Sequence, residues 1–121
     1  MPEISVILPV RDGARTLALA MLSVLEQSYR DFELLVLDDG SVDASPDIAL
    51  GFGDPRVRLL RDGMKQGLAA RLNQGIAAAT GRYIARMDAE DVCFPDRFVR
   101  QVARLGAHGS RVLRACGAFI F

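Results

Sequence analysis

Apolar runs of strand length alternate along this chain with segments of helical period. Residues 4–10 (ISVILPV) are β-branched and nearly continuous, the pattern of a strand buried on both faces. Leu17, Met21, Val24 and Leu25 follow at helical spacing and predict one apolar stripe. Residues 32–37 (FELLVL) predict a second strand. Asp43 or Ser45 is then placed to cap a short helix carrying Ile48, Ala49 and Phe52, which Asp54-Pro55 ends. Residues 56–60 (RVRLL) predict a third strand. Leu68, Leu72, Ile76 and Ala79 predict a third helix, with Gly81 placed to terminate it. Residues 83–87 (YIARM) predict a fourth strand, and Pro95 suits the first turn of a fourth helix with the stripe Phe98, Val102 and Leu105. The tail RVLRACGAFIF reads as the start of one more strand.

This β-α-β-α order predicts an α/β fold, a doubly wound, mostly parallel sheet with helices on both faces. In such sheets ligands bind beyond the carboxyl ends of the strands, so the polar residues there carry the information. Arg11, Asp12 and Gly13 follow the first strand, Asp38, Asp39, Gly40 and Ser41 the second, Asp62, Gly63, Lys65 and Gly67 the third, and Asp88, Glu90 and Asp91 the fourth. Two acidic clusters thus face one crevice. They would repel each other without something cationic or rich in hydrogen-bond donors between them. A divalent ion carrying a phosphate answers that need, and hard carboxylate oxygens suit Mg²⁺ or Mn²⁺. The plainer alternatives are that Asp88 or Asp91 caps the following helix, and that Asp38-Asp39-Gly40-Ser41 is a turn into the second one.

Composition narrows the field. At 121 residues, half of them apolar, the chain fits one domain over 1–121 with a real core. Fifteen basic side chains balance fifteen acidic ones, so no overall basic field points to nucleic acid or an anionic membrane. Two cysteines without a CxxC spacing and a single histidine support neither a disulfide framework nor a thiolate or imidazole metal site; a reducing cytoplasm is the default expectation. No apolar run approaches the roughly twenty residues that span a bilayer. The first strand–helix turn, PVRDGAR, has neither a P-loop nor a dinucleotide glycine motif.

The stretches ISVILPVRDGARTLALAMLSVLEQSYRDFELLVLDDGSVDAS and GLAARLNQGIAAATGRYIARMDAEDVCFPDRF resemble the nucleotide-sugar-binding half of family 2 glycosyltransferases, which have the GT-A fold, a Rossmann-like nucleotide-binding architecture. The resemblance covers nearly the whole chain, with the strand-end motifs, the SVLEQS helix end and the NQGI helix in the family's order. It implies that Asp39 accepts a hydrogen bond from the nucleotide base, typically uracil N3–H, while Asp38 lies beside the ribose and phosphates. Pro9, Val10 and Arg11 would form the other side of the base pocket. Family members often carry an aromatic residue and an asparagine where this chain has Arg11 and Asp12. Arg71 matches a position that reaches the nucleotide in some relatives, or is a solvated helix arginine; Asn73 and Gly75 match helix-packing positions.

The turn Asp88-Ala89-Glu90-Asp91 aligns with the family's DxD-type motif, usually Asp-Ala-Asp-Asp. By resemblance Asp88 approaches the sugar or ribose and Glu90, one methylene longer than the usual aspartate, holds the metal, with Asp91 as a substitute ligand. The implied reaction is a single displacement with inversion, in which Mg²⁺ or Mn²⁺ neutralises charge on the departing nucleoside diphosphate. The acceptor site and general base are expected in a C-terminal half beyond Phe121. The resemblance thus implies a UDP-sugar as partner, an acceptor chosen elsewhere, and work on bacterial cell-surface polysaccharide at the inner face of the membrane. The apolar end Phe119-Ile120-Phe121 predicts self-association. Two other readings are a nucleotide-binding module without activity and a receiver-type signalling domain; the latter expects acidic residues after the first strand, a phospho-acceptor aspartate after the third and a lysine after the fifth, whereas here the acidic pairs follow the second and fourth.

Overall fold

A computed structural model of the chain describes residues 2–91, 95, 99–100 and 112–114. In chain order the elements are β1 (Ile4–Val10), α1 (Leu17–Leu25), β2 (Phe32–Asp38), α2 (Ser45–Gly51), β3 (Val57–Leu60), α3 (Leu68–Ala78), β4 (Tyr83–Arg86) and β5 (Val112–Arg114). The strands form one sheet in the order β3-β2-β1-β4-β5, and every pairing is parallel. β1 is central. It pairs with β2 along its whole length and with β4 over its first four residues.

Strand alternation divides the core between the two faces of the sheet. Ile4, Val6, Leu8 and Val10 of β1, with Phe32, Leu34 and Val36 of β2, pack against Leu17, Ala20, Met21 and Val24 of α1 and Ala49 of α2. On the opposite face Ile7, Leu35 and Leu37 meet Leu72 and Ile76 of α3. The sheet is therefore doubly wound, as its sequence pattern predicts. α3 sits close on it: a Cβ on Gly75 would stand 2.7 Å from Ile7 Cγ2. Asn73, by contrast, is exposed and not a packing position.

Gly81 does not end α3 in the way expected. The helix runs out at Ala79, which is already extended (ψ 135°), and Gly81 is needed two residues later, where a Cβ would lie 2.6 Å from the Ser5 backbone nitrogen. Here the Gly81 N–H donates to Ser5 Oγ, the Ser5 hydroxyl donates to Glu33 Oε2, and the Thr80 N–H and hydroxyl donate to the same oxygen. Burial pushes the Glu33 carboxyl up, but the bonds from Ser5, Thr80 and Arg58 outweigh it and hold the group below its ordinary value. At α2 neither Asp43 nor Ser45 is the N-cap residue. That position is Ala44, while Asp43 Oδ1 accepts the Ser45 N–H from just outside the helix. The expected fourth helix stripe, Cys93, Cys116, His108 and the apolar end Phe119–Phe121 lie outside the described residues.

Candidate functional site

The strand order places a topological switch point between β1 and β4, because the chain leaves β1 to build β2 and β3 on one side and returns through α3 to the other. Ligands of open α/β sheets bind in the crevice that opens there. Two adjoining clefts occupy this edge. One, of about 250 Å³, is lined by Pro9, Val10, Arg11, Asp39, Gly67, Leu68 and Arg71. The other, of about 370 Å³, shares Pro9, Val10, Arg11 and Leu68 and adds Asp12, Gly13, Arg86, Asp88, Ala89 and Glu90.

The loops that frame the clefts are tied together. Asp12 takes a left-handed conformation (φ 53°), which asparagine and aspartate tolerate better than other side chains. Its Oδ1 accepts the Val42 and Asp43 N–H groups, its own N–H donates to Ser41 Oγ, and the Gly13 and Ala14 N–H groups donate to Ser45 Oγ and Asp43 Oδ2. An aspartate thus does here the backbone work that an asparagine can do equally. Gly40 also needs to be glycine, with φ 75° and a Cβ position 3.0 Å from the Met64 carbonyl.

The two adjacent aspartates after β2 point to opposite sides of the sheet and do different things. Asp38 falls on the α1 and α2 face. Its Oδ2 accepts the Ser41 N–H at 3.2 Å, its buried Oδ1 has no partner among the described residues, and it lines neither cleft. Asp39 turns to the α3 face. Its Oδ1 accepts the Gln66 N–H at 2.7 Å, the Gly67 N–H at 3.3 Å and Arg71 Nε at 2.9 Å. Its Oδ2 has only the Gly67 N–H, at 3.2 Å, and so keeps acceptor capacity on a residue that lines the cleft. The Gln66 N–H first, then Arg71 and the Gly67 N–H, outweigh burial and hold the Asp39 carboxyl below its ordinary value. It is an anion at neutral pH.

Arg71 is not solvated: its side chain is 0% exposed. Its five N–H groups go to Asp39, twice to Asp62, to Gln74 Oε1 and to the Met64 carbonyl. Arg71 therefore acts on the cleft through Asp39, which it orients, having no free donor of its own. It also pulls the Asp62 carboxyl down to about 2, with help from the Met64 N–H. The loops after β2 and β3 and the helix α3 meet at this one guanidinium.

Asp12, Asp88 and Glu90 are the acidic residues lining the second cleft, and Asp12 Oδ1 is already engaged by the Val42 and Asp43 N–H groups. Asp91, the expected substitute ligand, closes the turn: its Oδ2 accepts the Asp88 N–H at 3.1 Å, its own N–H donates to the Asp88 carbonyl, and it is not among the residues that line the cleft. Among the described residues no three metal-ligating side chains converge. Asp88 and Glu90 fit an ion that takes one or two carboxylates and completes its shell with phosphate oxygens and water, as Mg²⁺ and Mn²⁺ do. Arg86 was missed by sequence reasoning. It lines the same cleft and donates from Nη2 to Asp88 Oδ1 at 3.3 Å.

The model of the family described as "Glycosyl transferase family 2" matches residues 5–116. EpsE of Bacillus subtilis (strain 168) is 38% identical over 99% of this chain and 44% of its own length. The UDP-Glc:alpha-D-GlcNAc-diphosphoundecaprenol beta-1,3-glucosyltransferase WfgD of Escherichia coli is 33% identical over 84% of this chain and 40% of its own. Among solved structures, the mannosyltransferase PcManGT of Pyrobaculum calidifontis, in complex with GDP-Man and Mn²⁺, superposes with a TM-score of 0.79 at 25% identity, over 86% of this chain and 32% of that one. The chain thus spans less than half the length of each of these three proteins.

Proposed function

Because this chain belongs to glycosyl transferase family 2, we propose that it forms the donor-binding part of an inverting glycosyltransferase that takes a nucleoside-diphosphate sugar, with UDP as the nucleotide. One observation carries the reading: at the switch point a charged aspartate with a spare acceptor oxygen adjoins a second cleft that sets Asp88 and Glu90 beside Arg11 and Arg86.

The base enters the first cleft. Asp39 Oδ2 accepts uracil N3–H, a bond that favours a base edge offering a donor. Pro9 and Val10 give an apolar wall, and Arg11 stands where the two clefts join, beside base and phosphate together. The diphosphate extends into the second cleft, where Asp88 approaches the sugar or ribose and Glu90 holds the cation. Bound Mg²⁺ or Mn²⁺ supplies charge neutralisation to the departing diphosphate. The acceptor hydroxyl and its general base are assigned to the remainder of a longer enzyme. The donor named in WfgD favours UDP, its diphosphoundecaprenol acceptor favours polysaccharide assembly at the cytoplasmic face of a membrane, and the GDP-Man and Mn²⁺ of PcManGT favour metal assistance.

Calorimetric titration with UDP, CDP and GDP, each with and without Mn²⁺, tests the reading. UDP is expected to bind best and to gain affinity from Mn²⁺, and Glu90→Gln is expected to lose that gain. Equal binding of all three nucleotides, or none of any, would refute it.

A further inference from the structure

Two arginines stand beside carboxylates at this sheet edge, Arg71 buried and Arg86 partly buried, and they differ in how fully they are paired. Arg71 directs all five N–H groups to acceptors within the fold. Among the described residues Arg86 makes one hydrogen bond, the 3.3 Å contact to Asp88, and its buried Nε–H has no partner. An arginine that serves the fold alone is expected to look like Arg71, since a buried donor left unmade is costly. The position of Arg86 is also fixed: β4 holds it in register with Ile7, its side chain is 19% exposed, and it lines the second cleft with Asp88 and Glu90.

We propose that Arg86 is the diphosphate-binding cation of the donor site, a role that rests on the donor-binding reading above. Among the described residues Arg11 and Arg86 are the cationic ones that line that cleft. A guanidinium presents its N–H groups as a planar fork that matches two oxygens of a phosphate, and the weak contact to Asp88 occupies only one of them. When a diphosphate enters, Arg86 turns its fork to the phosphate oxygens, the unpartnered Nε–H gains an acceptor, and Asp88 is freed to face the sugar or the cation. Asp88 keeps the guanidinium at the cleft wall until then.

The test compares the parent with Arg86→Gln and Arg86→Lys in binding UDP, uridine and inorganic pyrophosphate, each in EDTA and in Mn²⁺. Arg86→Gln is expected to weaken UDP and pyrophosphate by about ten-fold or more under both conditions, the worth of a charge-assisted bond, with uridine unchanged. Arg86→Lys, which keeps the charge but lacks the fork, is expected to fall between them; it carries the test should the glutamine variant fail to fold. A loss seen only with Mn²⁺ would mean that Arg86 acts through Asp88 and the cation, and would overturn the proposal. So would equal losses for UDP and uridine, or no loss at all. Failure of uridine to bind the parent would instead count against the donor-binding reading, and pyrophosphate in EDTA would still decide the contact to Arg86.

Discussion

Replacing Asp39 with asparagine should reverse a base preference while leaving the backbone in place. Asp39 Oδ1 receives the Gln66 N–H, Arg71 Nε and a share of the Gly67 N–H, whereas Oδ2 receives only the other share of the Gly67 N–H, so in Asp39→Asn the amide oxygen stays on the Oδ1 side and keeps all three donors. The amide nitrogen is then forced into the position of Oδ2, toward the cleft. A donor would face uracil N3–H where an acceptor stood. Losing a charge-assisted hydrogen bond costs about 1.5 to 3 kcal/mol, so UDP affinity should fall by roughly 10- to 150-fold. Cytosine has an acceptor at N3, so CDP should lose far less and come to bind at least as well as UDP. Titration of both nucleotides against both proteins measures the ratio, which is insensitive to a change in the fraction folded. An unchanged UDP-to-CDP ratio in Asp39→Asn would show that Oδ2 does not read the base.

Arg71→Met keeps the aliphatic volume and removes the guanidinium. Breaking a buried ion pair costs about 3 to 5 kcal/mol, and because the cleft lets water reach Asp39, the lower end, about 3 kcal/mol, is expected in urea denaturation; a change below about 0.5 kcal/mol would refute the bracing role. Asp39 and Asp62 both titrate lower in the folded chain than in the unfolded one, so the stability they confer is complete above about pH 4 and is lost as pH falls toward about 2; acid titration followed by circular dichroism should show Arg71→Met losing less over that window than the parent. Gly75→Ala and Gly81→Ala should each destabilise, by about 1 to 3 kcal/mol in thermal or urea unfolding, with Gly81→Ala the worse because its Cβ meets Ser5 backbone rather than movable side chains.

Much of this was legible in the sequence because it followed from periodicity. The alternation of 4–10 and 32–37 with helical stripes gave the winding of the sheet, and adjacency to strand ends brought Pro9, Val10, Arg11, Asp39, Asp88 and Glu90 to one edge. Side-chain partnerships across the fold were not legible. Nothing local says that Asp39 will receive the N–H groups of residues 66 and 67, or that Asp91 will turn back on Asp88. For the two arginines a signal existed. Arg71 stands three residues after Leu68 and one before Leu72, on the apolar stripe of its helix, where a charge must be buried and paired. Arg86 interrupts a strand that reads as buried on both faces, and a charge at the end of an interior strand calls for a partner.

The central position of β1 has a kinetic consequence. Ile4 pairs with Phe32 on one side but with Tyr83, 79 positions further on, on the other. Ribosomes add roughly 5 to 20 residues per second, so that edge of β1 waits about 4 to 16 s for β4 to emerge. During that interval the apolar strand ISVILPV presents an unpaired flank, the kind of surface that captures another chain or a chaperone. Contacts this distant in sequence also form slowly in a refolding chain. The crevice between β1 and β4 should therefore be among the last features to mature, and a nucleotide added during refolding should raise the final yield rather than the initial rate.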